Sequence, residues 1–211
     1  MPERPARSPL LALALSACLA VSGCGLFSDG DAAGQPSVGA PPSPASSSGV
    51  TLVTGGAATQ ASAVSQALWR SSPLVVLAPD DDQAAVGRAA DAARALAAPL
   101  LLTTDDPSQT EVVAEVERLG AETLLMPDVD PDQPWVPDGT SVVTDADAVR
   151  GQRPSGSVER VVLAADTATT AAARATAEAS GATVVVLPGD DPRDSPAAIE
   201  ALGARPDAGV L

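Results

Sequence analysis

Three short apolar runs without polar alternation constrain this chain most: Leu74-Val75-Val76-Leu77-Ala78, Leu100-Leu101-Leu102 and Leu124-Leu125-Met126. A strand with one wet face alternates apolar and polar residues. A strand that is apolar throughout is covered on both faces, as parallel strands of α/β sheets are. The segments between the runs read as helices. Val86, Ala89, Ala90, Ala93 and Leu96 recur at three- and four-residue spacing from Ala84 onward, with Arg88, Asp91 and Arg94 on the opposite side. In the stretch LAAPLLLT, from Leu96 to Thr103, Pro99 marks the end of that helix and the start of the next strand. Asp105-Asp106-Pro107 turns the chain, and Ser108-Gln109-Thr110-Glu111 has the form of a capping box. Val112, Val113, Val116 and Leu119 make the next apolar helical face, which Gly120 ends. Thr51-Leu52-Val53, followed by a helical pattern from Ala61 to Trp69, adds a leading βα unit. The order β-α-β-α-β calls for right-handed crossovers and a parallel sheet.

The pattern occurs twice. Val161-Val162-Leu163-Ala164 repeats Val75-Val76-Leu77-Ala78 after 86 residues, Asp190-Asp191-Pro192 repeats Asp105-Asp106-Pro107 after 85, and Leu202-Gly203-Ala204 repeats Leu119-Gly120-Ala121 after 83. Three anchors in one order indicate an internal repeat. In the second copy an alanine-rich helix (Ala171 to Ala179) and a strand (Thr183 to Leu187) lie between the anchors, and the leading unit is eroded to Ser141 to Arg150. The expected fold is α/β: two tandem βα repeats, each a small parallel three-layer sandwich. The first repeat covers 50–127, a Pro-rich connector 128–140, and the degenerate second repeat 141–211. Parallel neighbours are expected among Leu74–Ala78, Pro99–Thr103 and Glu122–Met126, and again among Arg160–Ala164, Ala182–Leu187 and Ala208–Leu211.

The N-terminus carries a different kind of signal. Arg4 and Arg7 precede an apolar stretch, Leu10 to Val21, too short to span a bilayer comfortably. It runs into Val21-Ser22-Gly23-Cys24, the form of a bacterial lipobox, so residues 1–24 read as a lipoprotein signal peptide with Cys24 as the lipidated residue. Leu15-Ser16-Ala17-Cys18 also fits the pattern, with a very short apolar region before it. Residues 25–49, including SVGAPPSPASSSG, lack periodicity and apolar bulk and read as a disordered Pro/Ser/Gly tether. The expected location is the outer face of the cell membrane, anchored there by lipid.

Charge and composition exclude several functions. Lys and Arg together number 12, all of them Arg, against 27 Asp and Glu, for a net charge of −15. That balance argues against nucleic acid, whose phosphates require a basic footprint. His and Tyr are absent, and both Cys lie in the export segment, which closes histidine and thiol mechanisms. No catalytic residue, metal or cofactor is expected. Asp128, Asp130 and Asp132 alternate like the start of a calcium loop, but Gln133 stands where Gly is needed and no Glu closes the loop. Asp80-Asp81-Asp82 reads as solvated charge at a helix start. Trp69 reads as a core or repeat-interface residue, and Trp135, between prolines, as the aromatic with an exposed face. Binding is expected where ligands gather in parallel sheets, at the turns after the strands, with Thr103, Asp105, Asp106, Asp190 and Asp191 as candidates.

The residues VTLVTGG, LVVLAPD, ALAAPLLLT and VVAEVERLGAETLLM resemble the cell wall-binding repeat type 2 family, through Gly55, Ala63, Ser65, Val75 to Ala78, Ala98 to Thr103, and Leu119-Gly120. The resemblance is close over Val50 to Pro127 and weaker over Ser141 to Leu211. It implies noncovalent attachment to a wall polymer by tandem repeats. The function expected is therefore that of a noncatalytic cell-envelope lipoprotein, held to the membrane by its N-terminal lipid, with cell-wall polymer or an envelope protein as partner. A small-molecule solute-binding lipoprotein is the alternative.

Overall fold

The computed structural model describes residues 43–44, 51–149, 160–188, 192–204 and 209–210. Cys24 and Cys18, Asp190 and Asp191 lie outside them. In chain order the elements are β1 (Ser43–Pro44), α1 (Ala57–Leu68), β2 (Trp69–Ser71), β3 (Leu74–Pro79), α2 (Gln83–Leu96), β4 (Leu100–Thr103), α3 (Thr110–Leu119), β5 (Thr123–Leu125), β6 (Ser141–Val143), β7 (Arg160–Ala165), α4 (Ala171–Ala179), β8 (Thr183–Leu187), α5 (Pro196–Ala204) and β9 (Gly209–Val210).

The fold is α/β, with two parallel sheets and helices packed against them. The first sheet has the order β4-β3-β5-β6 and the second β8-β7-β9. Every ladder in both is parallel. The first strand of each copy lies in the middle, flanked by the second and third, so the copies share one topology. The registers set Val76 beside Leu100 and Val162 beside Val184. With Val76 and Val162 equivalent by the repeat, Leu100, Leu101 and Leu102 correspond to Val184, Val185 and Val186.

The apolar runs explain the layering. Alternate residues of a strand point to opposite faces. Val75, Leu77, Leu101, Leu124 and Met126 share one core with Val112, Val116 and Leu119 of α3. Leu74, Val76, Ala78, Leu100, Leu102 and Leu125 share the other with Val86, Ala89, Ala90 and Ala93 of α2. The two helices thus cover opposite faces of the first sheet. α2 ends at Leu96 because Ala97 takes a left-handed conformation, φ 50°, which brings Pro99 in at the head of β4. Leu119 is followed by Gly120 at φ 65°, where a residue without Cβ is favoured.

α4 joins the copies. It packs against α1 and α2 of the first copy, with Ala173 and Ala177 in one core and Ala172 and Ala175 in the other. The Thr176 hydroxyl accepts from the Leu100 N–H at 3.0 Å and donates to the Leu100 carbonyl at 2.9 Å. Trp69, 1% exposed, donates its indole N–H to the Thr176 carbonyl at 3.2 Å. Trp69 is therefore both a core residue and a contact between copies. Arg94 of α2 pairs with Glu178 of α4 on the outside of this seam.

Three local expectations are corrected. Thr51-Leu52-Val53 forms no strand. Its counterpart in the second copy, Ser141–Val143, is a strand, but it joins the first sheet beside β5. An apolar triplet becomes a strand only where a neighbour offers backbone partners, and none of the described strands pairs with Thr51–Val53. Trp69 does not end the helix; it opens β2, which runs antiparallel to β1. Ser108 does not cap α3. The residue before that helix is Gln109, in a left-handed conformation and without a side-chain cap, while the Ser108 hydroxyl turns to Asp106.

Candidate functional site

The end of β4 opens into a cleft of about 330 Å³ between the first turns of α1 and α3. Ala58 and Ser62 of α1, one helical turn apart, form one wall; Thr110, Glu111 and Val112 of α3 form another; Leu102, Thr104, Asp106 and Gln109 complete it. Its position follows from the topology. Parallel strands all end on one side of a sheet, and the turns that leave them carry the starts of the following helices.

The turn is built on Gln109. Its φ of 45° is unusual for a residue with a side chain. The side chain, 6% exposed, folds back along the strand end. Its Nε2 donates to the carbonyls of Thr104 and Asp106, both at 2.6 Å, and its Oε1 accepts from the Thr104 N–H at 3.2 Å. The carboxamide thus supplies the bonds a further strand residue would have made. Asp106 accepts from the N–H and the hydroxyl of Ser108, at 2.9 Å each. The Ser108 N–H, then its hydroxyl, hold the Asp106 carboxyl below its ordinary pKa, so it stays ionised. Neither α1 nor α3 has a side-chain cap, so the first-turn N–H groups at both helix starts are not taken by a capping side chain.

The candidates read from the sequence separate. Asp106 lines the cleft. Thr103 is 7% exposed and donates its hydroxyl to the Ala78 carbonyl at 3.4 Å, which ties β4 to β3. Asp105 is exposed and is not part of the cleft lining. Asp190 and Asp191 lie outside the described residues. Gln109, Thr110 and Glu111 carry only a capping-box signal in the sequence, and Ser62 carries none. Ser62 belongs to α1, four elements before β4, and no local pattern assigns it to the turn after β4.

Several other acidic groups have structural partners. Asp82 caps α2 by accepting from the N–H groups of Ala84 and Ala85, at 2.9 and 3.0 Å. Asp128 pairs with Arg88 at 2.8 Å, and Asp130 accepts from the Asp132 N–H. Among the described residues no three acidic side chains gather as a metal site. Trp135 is half-buried and packs against the first core. Among the described residues no helix is long and apolar enough to cross a membrane.

Hydroxyls and the carboxyl groups of Asp106 and Glu111 around a small cleft, on a turn that the Gln109 carboxamide holds in place, make a hydrogen-bonding site. Its groups suit recognition of neutral hydroxyl- or carbonyl-bearing ligands. No family model matches the chain, and no curated protein or solved structure matches it either.

Proposed function

We propose that this chain is a noncatalytic cell-envelope lipoprotein. Lipid on Cys24 holds it to the membrane, the stretch read as a tether links that anchor to β1 at Ser43–Pro44, which pairs with β2, and the α/β repeats bind a wall polymer or an envelope protein. The observation that carries the binding role is the cleft after β4. Its wall joins two uncapped helix starts to Ser62, Thr104, Gln109 and an ionised Asp106. Helix starts favour acceptor atoms on the ligand. Asp106, Glu111 and the net charge of −15 disfavour a phosphate-rich polymer. A neutral glycan fits both conditions. The resemblance of the repeats to wall-binding repeats points the same way.

The test is cosedimentation of the full chain with purified wall, across a salt series and with added calcium. A neutral glycan gives retention that changes little with salt. An anionic polymer gives retention that rises with salt, because like-charge repulsion is screened over about 8 Å at physiological ionic strength. Ser62→Leu, which fills the cleft, abolishes retention in either case. Absence of retention under every condition rejects wall binding. The second reading, a solute-binding lipoprotein, draws support from the polar lining of the same cleft, where hydroxyl and carboxyl groups converge on one small opening. Its mark is saturable binding of a free sugar-sized solute without wall retention.

A further inference from the structure

A second cleft, of about 500 Å³, lies between the two copies at the end of β7. Its lining is largely aliphatic: Leu52 and Val53 from the unpaired leading segment, Val64 from α1, Val162 from β7 and Ala173 from α4. Leu52 stands at the rim with 86% of its surface exposed, a large apolar side chain with nothing over it among the described residues. The charged group of this cleft is Arg174 of α4. One of its terminal nitrogens donates to Asp166 at 3.0 Å. Its Nε is buried and has no hydrogen-bond partner among the described residues. Buried donors in folded proteins are almost always paired, and a guanidinium donor left bare beside an apolar wall calls for an acceptor.

From this pairing of an aliphatic wall with a partly exposed guanidinium short of acceptors, we infer that the cleft binds a single-chain amphiphile with one carboxylate, the carboxylate on Arg174 and the hydrocarbon chain against Val53, Val64, Val162 and Ala173. One negative charge suits the site better than two. Asp166 already answers part of the Arg174 charge, and in a chain of net charge −15 a second anionic oxygen has no further cation in the cleft lining to meet. An ammonium head is repelled by Arg174. A chainless anion leaves the aliphatic wall and Leu52 wet. The ligand joins elements of both copies, from Thr51–Val53 and α1 to β7 and α4, so binding it braces the seam that Thr176 and Trp69 hold. The site is separate from the cleft after β4 and does not depend on the wall-binding reading.

The test is titration of the full chain with octanoate, octylammonium and acetate, read at the methyl NMR signals of Val53, Val162 and Ala173. Octanoate gives a saturable shift at these methyls, and octylammonium binds at least about tenfold more weakly because its head faces a cation. Arg174→Leu weakens octanoate by about tenfold or more while leaving octylammonium unchanged or tighter. Asp166→Asn tightens octanoate, because the competing carboxylate is gone; a merely structural Arg174–Asp166 pair predicts no such gain. If Arg174→Leu fails to fold, Leu52→Asp, an exposed position, weakens octanoate in its place. Equal shifts with octanoate and octylammonium, or no saturable shift in both the parent chain and Asp166→Asn, overturn the inference. Acetate binding as tightly as octanoate also overturns it, since the wall would then contribute nothing.

Discussion

β4 and β8 occupy the same place in the two copies, second strand in sequence and outer strand in the sheet, yet their surroundings differ. All four residues of β4 are buried. Of β8 only Leu187 is, and Val186 is 38% exposed where its counterpart Leu102 is 2%. The strand sequences do not account for this, since Leu-Leu-Leu and Val-Val-Val are both apolar throughout. The difference is the neighbour. β4 has α4 beside its outer edge, with the Thr176 hydroxyl bonded to both backbone groups of Leu100. Among the described residues no strand pairs with the outer side of β8. An open strand edge is a liability that proteins cover with a helix or a loop, and here the second copy supplies that cover to the first. The central strands differ as well. Leu74 at the head of β3 is matched by Arg160 at the head of β7, a buried guanidinium whose pKa is lowered by its loss of water.

The largest test of this contrast is a pair of truncations at equivalent positions. Leu102→Ala empties space in a fully packed core and is expected to cost about 3 kcal/mol. Val186→Ala removes a methyl pair already touching water and is expected to cost less than about 1 kcal/mol. Urea unfolding midpoints measure both. Equal losses would mean that the two edges are packed alike and that the contrast is false.

A smaller effect isolates the edge cover itself. Thr176→Val keeps shape and removes the hydroxyl, which leaves the buried Leu100 N–H and carbonyl without that partner; the expected loss is about 1–3 kcal/mol. Thr176→Ser restores the hydroxyl and most of the stability. Amide exchange at Leu100 should quicken in the valine variant and return in the serine variant. Unchanged exchange would show that α4 covers β4 by packing alone.

What the sequence discloses and what it hides divide along the same line. Strand and helix periods are local, and they place β3, β4, β5, β7, α2 and α4 to within a residue or two. The repeat predicts that both sheets share one strand order. Non-local features leave no such mark. Thr176 looks like any small residue in an alanine-rich helix, and its partner Leu100 lies 76 residues away. Thr51-Leu52-Val53 has the composition of a strand, but pairing depends on a neighbour that periodicity does not reveal. Gln109 is the hardest case. Gly or Asn is what a reader expects at a left-handed position, and the carboxamide's bonds to Thr104 hold Gln there instead. Of the β4 cleft, only Asp106 was readable in advance, because an Asp-Pro turn after an apolar run is a local signal. Ser62 and the α1 wall arrive from another element.

The smallest expected effect concerns how the two equivalent helices begin. α2 has Asp82 at its start, accepting from the N–H groups of Ala85 and Ala84, whereas α4 begins at Thr170 with no side-chain cap. The Ala85 N–H, followed by that of Ala84 and the charge of Arg88, holds the Asp82 carboxyl below its ordinary pKa. The sign follows from linkage. In the unfolded chain Asp titrates near about 3.9, so above that pH the carboxylate is ionised in both states and the cap's contribution is fully present. As pH falls below that value the unfolded chain takes up its proton first, and the contribution is lost by the time pH passes the lower folded value. Asp82→Ser keeps a capping oxygen but removes the titrating group. Its urea midpoint should therefore fall less steeply than the parent's as the solution is acidified below about pH 4, an edge set by the unfolded Asp value. The difference between the two curves isolates Asp82. Thr170→Val at the start of α4 removes a hydroxyl that donates to the Ala165 and Thr167 carbonyls, not a titrating cap. It should shift the whole curve without changing its acid limb. An acid limb unchanged by Asp82→Ser would place the acid sensitivity of the first copy elsewhere and leave the two helix starts electrostatically alike.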